Sequence, residues 1–171
     1  MIRGLFALLL ASSLSACATI PAEAVATADH PEARSYAVSA DAMGDVDAAL
    51  ARANISRKPV LLVMGANWCH DSRALAGWLE QPRFANLMEE RFELVFVNVG
   101  MPQTGDGHNL AIARRFGLEE LPGTPNVLVI DPDGTLLNRE TATTWRNAAS
   151  RSEDEIYEEL ALLATTEIAR D

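Results

Sequence analysis

Cysteine is almost absent from this chain: its 171 residues hold two, Cys17 and Cys69. Two cysteines close one internal bridge at most, which excludes a disulfide-rich scaffold. Lysine is scarcer, with Lys58 alone, and basic residues total 14 against 24 acidic ones. A formal charge of -10 repels polyphosphate and anionic membrane surfaces, so nucleic acid is excluded as a partner. Cys69, His70 and His108 follow no metal-ligand spacing, and no metal or cofactor is expected. No internal repeat is present. The Leu5–Leu14 apolar run is too short to span a bilayer. What remains is an ordinary globular composition, 49% hydrophobic and 22% charged, long enough for one domain with a leader and a tail.

The leader comes first. Arg3 supplies a positive start and Leu5–Leu14 an apolar stretch, the pattern of an export signal. Leu14-Ser15-Ala16-Cys17 resembles the lipobox of bacterial lipoproteins. That resemblance implies cleavage before Cys17, acylation of Cys17, and, with Ala18 next rather than aspartate, an outer-membrane protein facing the periplasm. Ala16-Cys17-Ala18 also fits an ordinary signal-peptide cleavage site, which would release a soluble periplasmic protein. Either way Cys69 is left as the one free thiol. The expected divisions are 1–16 signal peptide, 17–40 flexible tether and 41–171 folded domain, the tether being rich in Ala, Thr, Pro and Glu without a sustained period.

Within the domain, residues 41–54 read as a helix with acids near its start. Val60–Gly65 is a continuous apolar run suited to a strand buried on both faces. A helix follows over 69–80, Pro82 interrupts it, and Phe84, Leu87 and Met88 continue a turn or two. Strand 93–99 completes a βαβ unit. Residues 100–107, with three glycines and a proline, read as a loop, and 108–116 as a helix ended by Gly117. Asp131-Pro132-Asp133-Gly134 is a turn between strands 126–130 and 135–138, an antiparallel hairpin. Ser152 and Glu155 form a capping box that opens a closing helix to about 169.

Chemistry concentrates at Ala66-Asn67-Trp68-Cys69-His70-Asp71-Ser72-Arg73. A cysteine at a strand-to-helix junction sits where free backbone N–H groups and the helix dipole stabilise an anion, and the thiolate is the nucleophile. Trp68 offers an apolar contact beside it. Ser72 lies one turn on, where its hydroxyl could donate to the thiolate. His70, if protonated, favours the thiolate, and Asp71 opposes it.

Strand, then Trp68-Cys69-x-x, then helix resembles the active-site segment of the thioredoxin superfamily, and Gly123-Thr124-Pro125 stands where that family keeps its cis-proline loop. The resemblance extends over roughly 45–168 and implies an α/β thioredoxin-like fold: a mixed central sheet flanked by helices, with a C-terminal antiparallel hairpin and helix. It also implies that Thr124 and Pro125, with Trp68, receive an extended client strand. Two departures matter. Ser72 replaces the second cysteine of the dithiol motif, and a hydroxyl cannot release a mixed disulfide. Val63 stands where thioredoxins proper keep a buried aspartate.

A self-sufficient dithiol reductase is thereby excluded. The expected function is a periplasmic monothiol protein that acts on cysteines of envelope proteins through Cys69, with an external thiol as donor. Its only membrane contact is a lipid anchor. A non-catalytic thioredoxin-fold module that binds extended peptides is the alternative. One-cysteine peroxide reduction lacks its P-x-x-x-T-x-x-C loop.

Overall fold

A computed structural model describes residues 30–165. The leader and Cys17 lie outside the described residues, and the last helix, expected to reach about 169, ends at Leu163 with Ala164 as its C-cap. Strand β1 (Val60–Gly65) is the middle of a three-stranded sheet and is buried at all six positions. Such a strand needs apolar side chains on both faces, which its Val-Leu-Leu-Val-Met run supplies. Strand β2 (Glu93–Asn98) lies parallel to it, with Leu62 opposite Val95. Strand β5 (Asn126–Ile130) lies antiparallel on the other side, with Leu62 opposite Leu128. A mixed sheet with helices on both faces is what the sequence predicts.

The two-residue alternation of β1 divides the core. Val60, Leu62 and Met64 face a cluster with Val46 and Leu50 of α1 (Ala42–Ser56) and Ile112 of α4 (Leu110–Arg115). Leu61 and Val63 face the opposite way. They meet Leu75 of α2 (His70–Leu79), Phe84 of α3 (Pro82–Arg91) and Ile156 and Leu160 of α5 (Glu153–Leu163). Each fully buried Leu or Phe contributes roughly 1.5–3 kcal/mol relative to an exposed one. Asp41 caps α1 by accepting from the Gly44 amide at 2.9 Å. Pro82 does not merely interrupt a helix. It occupies the first turn of α3, where its missing N–H costs nothing, and α3 runs ten residues.

Three expectations are corrected. Residues 30–40 are not a tether along their whole length, because Tyr36 is fully buried among Leu75, Phe84 and Trp145. The Ala33 amide donates to the Arg73 carbonyl at 3.0 Å. Gly77 makes this approach possible, since a Cβ there would stand 2.6 Å from the Glu32 nitrogen. Residues 100–107 are not a plain loop: β3 (Gly100–Met101) and β4 (Asp106–Gly107) pair antiparallel, and α4 begins at Leu110 rather than at 108.

The third correction concerns the hairpin. It turns where expected, with the Gly134 amide donating to the Asp131 carbonyl at 2.8 Å, but its return arm is one isolated bridge between Ile130 and Leu136. The Asn138 side chain then does the work of a strand. Its Oδ1 accepts from the Val129 amide at 2.8 Å and its Nδ2 donates to the Val127 carbonyl at 2.9 Å.

Candidate active site

Cys69 is the N-cap residue of α2, in extended backbone conformation, and no side-chain oxygen caps the helix there. The chain enters this position directly from β1, and the Cys69 amide donates to the Ala66 carbonyl at 3.1 Å, which folds the junction tightly. The Cys69 Sγ donates to the Thr124 carbonyl at 3.3 Å, across 55 residues of sequence. The Thr124–Pro125 peptide bond is cis. Asn126 anchors that loop from inside, its Nδ2 donating to the Gly123 carbonyl at 2.8 Å. The structure therefore brings Cys69, Thr124 and Pro125 together.

The thiol is less open than the sequence suggests. Cys69 is 8% exposed, yet it belongs to neither apolar cluster of the core. Trp68 beside it is 49% exposed, and its indole N–H donates to the Gly100 carbonyl at 3.0 Å. Thr124 is buried, and among the described residues its Oγ1 has no hydrogen-bond partner.

Ser72 is not placed as expected. It is fully buried, and its Oγ accepts from the Ala66 amide at 3.3 Å instead of donating to the sulfur. The first free N–H beyond β1 needs an acceptor, and the hydroxyl supplies it. The Ser72 carbonyl accepts from the Tyr36 hydroxyl at 3.1 Å. Burial pushes the Tyr36 phenol far above its ordinary pKa. The Ser72 bond opposes that shift, and negative charge at Cys69 pushes the same way as burial. Asp71 also turns from the thiol, and its Oδ1 accepts from the Ala149 amide at 2.9 Å.

His70, half-exposed beside the thiol, has polar neighbours of its own. Its Nε2 lies 3.1 Å from His30 Nε2 and 3.5 Å from Glu32 Oε1. Glu32 in turn takes two bonds from Arg73, at 3.0 Å from Nε and 3.3 Å from Nη2. The Arg73 hydrogen bond holds the Glu32 carboxyl below its ordinary pKa, against a smaller contrary push from desolvation. Arg73 also donates to the Trp68 carbonyl at 3.0 Å. Among the described residues, His30, Glu32 and His70 are the group whose side chains converge closely enough to hold a metal ion. Sequence reasoning missed His30, Glu32, Tyr36 and Arg73. The one signal that could have found Tyr36 is a lone aromatic in a segment otherwise free of large apolar side chains.

A family model described as thioredoxin-like matches residues 41–132, a span that includes both Cys69 and Pro125. The chain belongs to the thioredoxin-like family. It is similar to a solved structure described as a disulphide isomerase from Xylella fastidiosa Temecula1. The two share 36% identity, with a TM-score of 0.66 over 75% of this chain and 95% of that one. No curated protein sequence matches.

Proposed function

We propose that the protein acts on cysteines of other envelope proteins through Cys69, as a monothiol member of its family. The family and the likeness to a disulphide isomerase support a thiol-redox role. The observation that carries the finer reading is the 3.3 Å contact between Cys69 Sγ and the Thr124 carbonyl. While the thiol is protonated, S–H occupies that carbonyl. Once the sulfur is a thiolate or is bonded to a client, the donor is gone and the carbonyl is released. Among the described residues the Thr124 amide meets no acceptor either. A client segment in extended form would thus find one acceptor and one donor beside the sulfur that holds it.

The step is exchange. The Cys69 thiolate attacks one sulfur of a client disulfide, a new S–S bond forms, the client S–S bond breaks, and the departing client thiolate takes a proton. With Ser72 buried against Ala66, release requires an external thiol, from the client itself or from a separate small-molecule or protein donor. The leader motif supports a periplasmic setting, attached through Cys17 or free.

Acid-quenched trapping from cells tests this. Disulfide-linked partners are expected on the native protein and none on Cys69→Ala. Purified protein should alkylate readily near neutral pH. A thiol that stays unmodified in the folded protein, with client capture unchanged in Cys69→Ala, overturns the exchange reading. The 8% exposure of Cys69 favours that second outcome, a peptide-binding module whose thiol is idle.

A further inference from the structure

We propose that His30, Glu32 and His70 form a binding site for a first-row divalent transition metal of the Zn²⁺/Cu²⁺ class. The separations carry the argument. A metal bound at ~2.0–2.1 Å by nitrogen or oxygen in tetrahedral geometry holds its ligand atoms ~3.3 Å apart. Here the two imidazole Nε2 atoms lie 3.1 Å apart, and His70 Nε2 lies 3.5 Å from Glu32 Oε1. One ligand atom from each of the three residues falls within 4.8 Å of the others.

The surroundings of each ligand fit the same reading. His30 Nδ1 lies 3.2 Å from the Pro31 carbonyl, so that nitrogen carries the proton and Nε2 keeps its lone pair toward His70. Two bonds from Arg73 fix the Glu32 carboxylate in place. The three ligands come from two separate segments, residues 30–32 and the first turn of α2, which the buried Tyr36 and the Ala33–Arg73 backbone bond lock together. Two imidazoles and one carboxylate suit Zn²⁺ and Cu²⁺ and do not suit Mg²⁺ or Ca²⁺, which take oxygen cages. Three protein ligands leave at least one position for water or an exogenous ligand. The Arg73 charge opposes a cation, so the site is an exchangeable one. The competing arrangement is a bare imidazole–imidazole hydrogen bond, which needs the His70 proton on Nε2 and binds no metal.

The test uses the untagged full-length chain carrying Cys17→Ser and Cys69→Ser, so that no thiol ligates. Its result is thereby separate from the fate of the exchange reading. Titration with Cu²⁺, Zn²⁺ and Mg²⁺ should give one site per chain, tightest for Cu²⁺, weaker for Zn²⁺ and absent for Mg²⁺. The Cu²⁺ paramagnetic resonance signal should show coupling to two imidazole nitrogens. His30→Asn and His70→Asn should each leave one imidazole. Each should weaken binding beyond the ~10–100-fold typical of losing an outer-shell partner. His108→Asn should change neither. Absence of saturable Zn²⁺ and Cu²⁺ binding, or a two-nitrogen signal that survives both His30→Asn and His70→Asn, overturns the site.

Discussion

Helices α2 and α5 begin in the same way and end up with opposite character. Both follow an N-cap residue in extended conformation, Cys69 in one and Ser152 in the other. At α5 the helix start is capped by its own residues. Glu155 donates its amide to the Ser152 hydroxyl, and its carboxylate accepts from the Ser152 amide at 2.8 Å. Arg83 from α3 ties down Glu153 and Asp154. At α2 the capping oxygen is replaced by sulfur, and the one acid of the first turn, Asp71, serves the Ala149 amide instead. Stability at α2 is therefore imported. The 30–36 segment reaches in through Ala33, Tyr36 and Glu32 to hold what the helix does not hold for itself. A helix start that satisfies its own amides is a structural part, whereas one braced from outside keeps its dipole available to a reacting anion.

The strongest way to break this contrast is Tyr36→Ala. Loss of a fully buried ring that packs edge-on against Phe96, with centroids 5.3 Å apart, should cost about 3–5 kcal/mol. Urea denaturation measures it. A cost below about 1 kcal/mol would return residues 30–40 to the status of a tether. Next in size is Ser72→Ala, which strands the buried Ala66 amide and should cost about 1–3 kcal/mol while leaving the alkylation rate of Cys69 nearly unchanged. A tenfold fall in that rate would put the hydroxyl back in service of the thiolate. The smallest effect belongs to Ser152→Ala, about 1 kcal/mol at neutral pH with no change at the thiol. Bonds from the Ser152 backbone and hydroxyl hold the Glu155 carboxyl below its ordinary pKa. A lowered folded-state pKa means stability that is present above the unfolded value and lost as pH falls through the folded one. The gap between wild type and Ser152→Ala should narrow in acid accordingly.

Local features were legible in the sequence and long-range ones were not. The capping box at Ser152 and Glu155 needs only four consecutive residues, and the buried run of β1 announces its own environment. Trp68-Cys69 and Pro125 were legible through resemblance, because each stands at a fixed point of a known chain path. Tyr36 lies 36 residues from the Ser72 carbonyl it bonds, in a segment with no period, and only the closed fold brings them together. His30 and His70 are 40 residues apart and fail every local spacing rule for the same reason. Ser72 illustrates a subtler limit. Its position one turn after Cys69 was correct, but the hydroxyl chose the orphan amide of Ala66 over the sulfur, and that choice depends on where β1 ends. The return arm of the hairpin is not legible in the sequence, because strand propensity at 135–138 says nothing about an asparagine side chain taking over the pairing.

That asparagine has a consequence for what can attach to this molecule. By occupying the Val127 carbonyl and the Val129 amide, Asn138 seals the β5 margin of the sheet, with the Ala142 carbonyl taking the Val127 amide as well. An unsealed margin is a template on which foreign chains stack and polymerise. Here that template is withdrawn along β5, and on that side of the sheet a visiting polypeptide is left the short stretch of backbone at Thr124, immediately beside the sulfur.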